Sequence, residues 1–158
     1  MRKEILTRTP ARATRWLSLA ALALAVTACG GDKKSPTENN NGGECDVATP
    51  TGNINLGQTI NGSLTTSDCQ APDGSRADIY RLTVAAPTQV SMLLQSGAFD
   101  AYLLLLNADG DVIAEDDDSA GQSNAGMSGL LNAGTYYVVA NSAAAGESGA
   151  YSLTVDEL

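Results

Sequence analysis

Apolar and polar residues alternate with a period of two between positions 54 and 155, and turn-forming residues interrupt the alternation roughly every eight to twelve positions. Tyr80, Leu82 and Val84 alternate with Arg81 and Thr83, and Val90, Met92 and Leu94 with Ser91 and Gln95. Tyr102 to Leu106 is a continuous apolar run, the pattern of a strand covered on both faces. Asn107-Ala108-Asp109-Gly110 reads as a turn, so this run and Val112-Ile113-Ala114 form a predicted hairpin. Tyr136 to Ala140 and Tyr151 to Val155 complete the series, while DDDSAGQSNAG and NSAAAGESG read as loops. No stretch beyond the N-terminal region has helical spacing. The pattern predicts an all-β domain over 45–158, an antiparallel β-sandwich of about eight strands.

The N-terminal region follows a different rule. Residues 1–15 hold five basic residues and one acid, and Trp16 to Ala28 is apolar. Thirteen such residues are too few to span a bilayer but suit the apolar core of a signal peptide. Val26-Thr27-Ala28-Cys29 resembles the bacterial lipobox. The resemblance implies a signal peptide over 1–28, cleavage after Ala28 and lipidation of Cys29. At about 0.8 kcal/mol per buried CH₂, two or three acyl chains anchor stably where one would not. Gly30 follows the cysteine, where Asp would signal inner-membrane retention in enteric bacteria, so an outer-membrane location is expected. Residues 29–44 contribute the lipidated cysteine and a Gly-, Asn- and charge-rich tether, expected to be disordered and to reach roughly 20 Å.

Charge narrows the function classes. After residue 28 the chain has four basic and 17 acidic residues, a net charge of −13. From Cys45 onward Arg76 and Arg81 are the only bases, against 14 acids. Such a surface repels nucleic acid phosphates and can attract divalent cations. Histidine is absent, which removes Ser-His-Asp and Cys-His catalysis and imidazole metal ligation. Paired-carboxylate hydrolysis stays open because acids are plentiful. Cys45 and Cys69 are the two cysteines of the exported domain, and in an oxidising compartment they most simply form one disulfide.

The ordered series Asp78-Ile79-Tyr80-Arg81-Leu82, Phe99-Asp100-Ala101-Tyr102-Leu103, Ala108-Asp109-Gly110, Glu115-Asp116-Asp117, Ala133-Gly134-Thr135-Tyr136-Tyr137 and Gly149 to Val155 resembles the bacterial pre-peptidase C-terminal domain. That family is related to the collagen-binding modules of clostridial collagenases. The similarity covers roughly residues 54–156 and implies a jelly-roll-like β-sandwich. In the family the domain is usually an appendage of secreted proteases. The 158 residues carry no peptidase, so the resemblance does not imply peptidase activity.

Calcium is the one cofactor to consider. Asn107, Asp109, Asp111 and Asp118 fall at EF-hand-like positions, but Val112 stands where that loop needs Gly, and a plain turn is the better reading. The collagen-binding relatives hold calcium near the start of the sheet. That resemblance makes Asp78 and the preceding Asp68 candidate ligands, and charge density adds Asp116 and Asp117. The alternative is that Asp100, Asp116 and Asp117 accept loop amides while Asp118 is solvated. Tyr102, Tyr136, Tyr137 and Tyr151 are candidates for a binding face, and alternation places Tyr136 and Tyr137 on opposite faces. The sequence thus leads to a non-catalytic, lipid-anchored binding or accessory module for a protein or polysaccharide. The alternatives are a carboxylate-based hydrolase and a purely structural envelope lipoprotein.

Overall fold

The computed structural model describes residues 43–158. The signal peptide, Cys29 and the linker through residue 42 lie outside the described residues. The alternating segment forms ten strands. They are β1 (Gly52–Ile54), β2 (Gln58–Leu64), β3 (Cys69–Gln70), β4 (Arg76–Val84), β5 (Thr88–Ser96), β6 (Ala101–Leu106), β7 (Val112–Asp116), β8 (Ala125–Leu131), β9 (Gly134–Ser142) and β10 (Gly149–Glu157).

One sheet has the order β1-β4-β9-β6-β7, with β3 also pairing with β4. The other has the order β2-β10-β5-β8. Every named strand pair is antiparallel except β1 with β4. The predicted sandwich and the β6–β7 hairpin are both present. The strand number exceeds the expected eight for local reasons. β1 and β3 are too short to show an alternation, and β8 (AGMSGLL) has two glycines and begins inside the predicted DDDSAGQSNAG loop. Pairing with β5 over Thr88–Leu94, a long-range effect, makes β8 a strand.

Between the sheets lie Leu82, Leu94, Leu103, Val138, Leu153 and Val155, all fully buried. Each such aliphatic side chain contributes about 1.5–3 kcal/mol on burial. A second cluster lies on the outer face of the first sheet, where Ile79, Leu104, Leu106, Tyr137 and Val139 pack with Cys45 and Val47. This explains the unbroken apolar run in β6: Leu103 and Leu105 enter the inter-sheet core, Leu104 and Leu106 the outer one.

The N-terminal segment that covers the outer cluster is held in two ways. Cys45 and Cys69 form the expected disulfide, 24 residues apart in sequence. Backbone bonds from Cys45 N to Gln70 O and from Gln70 N to Gly43 O tie the same stretch to β3.

Candidate functional site

The four candidate calcium ligands occupy different environments. Asp68 caps its own turn, accepting from the amide and hydroxyl of Thr65. Asp116 accepts from Ser119 N, Ser119 Oγ and Gly126 N, so one carboxylate closes the loop after β7. Asp78 points between the sheets and is 6% exposed. Only Asp117 joins a close carboxylate group. With Asp100 and Asp118 it offers oxygens that all lie within 4.8 Å of one another. Asp100 Oδ1 is buried without a hydrogen-bond partner among the described residues, where Asp116 alone of the acids expected to accept loop amides does so. Burial and the neighbouring Asp118, Asp100 and Asp116 carboxylates raise the Asp117 pKa. Asn107 Oδ1 accepts the amides of Asp109 and Asp111 at 2.9 Å each, the plain turn expected there.

Asp78 belongs to a buried polar chain that joins the two sheets. Tyr80 and Tyr151 bring their hydroxyls to 2.6 Å, and Tyr151 donates to Asp78 Oδ2 at 2.6 Å. Thr51 donates to Asp78 Oδ1 and accepts from Ile79 N, both at 3.1 Å. Burial raises the Asp78 pKa; the Tyr151 hydrogen bond opposes this and the Asp68 charge adds to it. Burial and the bond to Asp78 also push the Tyr151 hydroxyl far above its ordinary range.

A raised folded-state pKa means that the native protein binds the proton more tightly than the unfolded chain. Stability from this group is therefore fully present below the ordinary aspartate value of 3.8 and is lost as pH rises through the raised folded value. Urea unfolding of the wild type is expected to show stability falling as pH rises above the ordinary aspartate value of 3.8, with a smaller fall in Asp78→Asn. Equal pH slopes in the two proteins would refute this account of Asp78.

The tyrosines do not form a platform. Tyr151 and Tyr80 are buried between the sheets, and Tyr151 meets Phe99 edge-on with ring centroids 6.3 Å apart. Tyr136 and Tyr137 do face opposite ways, but neither is exposed. Tyr136 packs on the inter-sheet core and donates to Asn132 O, while Tyr137 sits in the outer cluster beneath Arg81. Tyr102 is half-buried and donates to Glu115 at 2.8 Å, and burial and that carboxylate raise its pKa.

The outer face of the second sheet has a different character. Register places Asn61, Ser152 and Gln95 in one row across β2, β10 and β5. The next row contains Thr59, Thr154, Leu93 and Gly126, with the Thr59 and Thr154 hydroxyls 2.8 Å apart. A third row has Asp156, Ser91 and Ser128. Two shallow depressions open on this face. The polar lining of one is Asn61, Gln95, Ser96, Asn124 and Ser152; the other mixes Ser91, Ser128, Thr154 and Asp156 with the apolar Leu93 and Met127. Of these residues, Asp156 alone carries a charge. Sequence reasoning missed this face because it looked for aromatic and acidic residues. The available signal was the absence of charge along β5, whose exposed positions are Gln89 and Gln95.

No protein-family model matches the chain, and no curated protein matches it either. Among solved structures it is similar to the pre-peptidase C-terminal domain of a collagenase from Bacillus anthracis. That match has 21% identity and a TM-score of 0.52, covering 68% of this chain and 97% of the other. A periplasmic inhibitor of g-type lysozyme from Aeromonas hydrophila also matches, at 21% identity and a TM-score of 0.45, covering 64% of this chain and 85% of the other. The described residues therefore have the fold of a pre-peptidase C-terminal domain, the architecture that the ordered motifs in the sequence imply.

Proposed function

We propose that this chain is a non-catalytic exported lipoprotein, anchored through Cys29, whose β-sandwich binds a protein or polysaccharide or assists a partner enzyme. The observation that carries the reading is the nearly uncharged outer face of the second sheet on a strongly acidic domain. Acids crowd β7 and the loop after it, whereas this face offers hydroxyl and amide groups in register, interrupted by Leu93 and the exposed Leu130. Such groups exchange hydrogen bonds with a neutral polar ligand without stripping water from a charge. A carboxylate hydrolase needs two carboxyl groups facing each other across a cleft. The two depressions have one carboxylate between them, Asp156.

The Cys45–Cys69 disulfide suits an oxidising, extracytoplasmic compartment. Palmitate labelling tests the anchor: Cys29→Ala is expected to abolish it, and unchanged labelling would overturn that part. For the binding face, the exported chain in detergent is titrated with purified peptidoglycan and with unfolded casein. Ser152→Arg, in the middle of the neutral face, is expected to weaken whichever binding occurs by about tenfold at an unchanged melting temperature. Equal binding would remove this face from the reading. Calcium, if held by Asp100, Asp117 and Asp118, is expected to raise the melting temperature in wild type but not in Asp100→Asn. No shift with millimolar calcium would exclude it.

A further inference from the structure

Among the described residues, each sheet ends in strands whose outer hydrogen-bonding groups have no strand partner, and natural sheets protect such edges. Three of the four edges here carry a recognisable protection. On the β4 side of the first sheet, β1 and β3 are only three and two residues long. At the opposite edge, β7 carries Glu115 and Asp116, and its pairing with β6 shifts register at Leu105/Leu106. In the second sheet, the outward amide and carbonyl of Gly126 on β8 are taken by Asp116 Oδ2 and Ser119 Oγ.

The fourth edge, β2, has none of these. Its seven residues, Gln-Thr-Ile-Asn-Gly-Ser-Leu, include no charge and no proline. The direction of its backbone groups follows from register. Leu158 N bonds Gln89 O, so alternate residues back along β10, including Ser152 and Thr154, turn toward β5. Val155 O accepts from Gly57 N, so Val155, Leu153 and Tyr151 turn toward β2, where they pair with Gln58, Ile60 and Gly62. The residues between them, Thr59, Asn61 and Ser63, direct their N–H and C=O groups away from β10, along an edge with exposed side chains. This is a ladder of alternating donors and acceptors at strand spacing, which an extended peptide backbone matches.

Charge specifies the peptide further. Asp156 and Glu157 follow Val155, the partner of Gln58, at one end of the edge. Asp68 caps the turn at Thr65, just beyond Leu64, at the other end. A neutral edge between acidic ends selects an extended segment with basic residues flanking it. We propose that β2 is a strand-addition site for an extended polypeptide with Lys or Arg at its ends. The inference rests on reading the domain as a binding module, and it names the class of partner and the place of docking. Residues of the added strand across from Thr59, Asn61 and Ser63 face solvent with them. The intervening residues lie beside half-buried Ile60, where apolar side chains extend the core.

A probe follows from that geometry: the peptide Lys-Lys-Val-Thr-Val-Thr-Val-Lys-Lys, with its valines placed beside Ile60 and its threonines on the ladder. In the antiparallel addition proposed here, the threonines exchange both bonds with the residues opposite them, so the peptide's twin, N-methylated on both threonines, keeps the charge and loses the ladder donors. The exported chain in detergent is followed by amide hydrogen exchange and titration. The peptide is expected to slow exchange at Thr59, Asn61 and Ser63, and the methylated twin to bind about tenfold or more weakly. Asn61→Pro removes an outward N–H that β10 does not use, so it is expected to leave melting unchanged and weaken binding about tenfold.

Equal binding of the two peptides would overturn the proposal, because charge alone would then explain it. So would protection at β7 or β8, or no binding at millimolar peptide. Protection of β2 without peptide, growing with protein concentration together with a dimer in sedimentation, would assign the edge to a second copy and equally overturn it. Binding of the peptide that Asn61→Pro leaves intact but Ser152→Arg abolishes would move the site to the sheet face, leaving the binding-module reading standing and the edge refuted.

Discussion

Gly62→Ala is expected to destabilise the domain by about 3 kcal/mol, more than typical substitutions on an exposed strand. Gly62 sits directly across from Tyr151, and a Cβ there would lie 2.4 Å from the Tyr151 Cζ and hydroxyl oxygen. That contact cannot be relieved by swinging a free side-chain end aside. The hydroxyl is fixed by Asp78 Oδ2 and Tyr80, and the ring packs edge-on against Phe99. Displacing the ring would leave Asp78 buried with Thr51 as its one remaining side-chain donor, and an unsatisfied buried acceptor costs about 1–3 kcal/mol. Thermal melting should fall by roughly 10–15 °C. Ser63→Ala, on the exposed neighbour, should change stability by less than about 0.5 kcal/mol. A Gly62→Ala protein within 1 kcal/mol of wild type would show that the Tyr151 position is not fixed by this network.

Removing the disulfide by Cys45→Ala with Cys69→Ala is the other large effect. Opening a loop of 24 residues' separation frees unfolded-state entropy worth about 3 kcal/mol. The consequence is uneven across the molecule. The N-terminal segment covers Ile79, Leu104, Leu106 and Val139 on the outer face, while the inter-sheet core has its own complete packing. Unfolding should stay cooperative with a lower midpoint, and proteolysis should begin near Val47 before the strands are cut. Reduction to free thiols without any change in melting would contradict this role for the bond.

Much of the fold was legible because period-two alternation is a local signal. It placed Leu82, Leu94, Leu153 and Val155 on buried faces, and the unbroken run in β6 announced a strand covered on both sides. The candidate sites were less legible. Asp78 was visible as an acid at a strand start, yet its partner Tyr151 is 73 residues away, and that contact exists only because β4 and β10 face each other. Asp117 was visible within an acidic run, but its grouping with Asp100 depends on β6 and β7 lying side by side. For Asp116 the sequence leaves open a calcium ligand or an acceptor of loop amides, and the path of the next loop, which brings it three donors, decides for the second.

By itself, then, the sequence determined the all-β class, the buried faces, the disulfide pair and the acidic character of the domain, since each follows from composition or from spacing within a few residues. The tertiary structure decided which strands become neighbours, and with that everything that depends on neighbours. It turned Asp78 inward, gathered the neutral face from β2, β10, β5 and β8, and left β2 as the edge without protection. Alternation fixes which side of a strand a residue faces, but pairing order is set by contacts between residues far apart in the chain, and no local pattern encodes it.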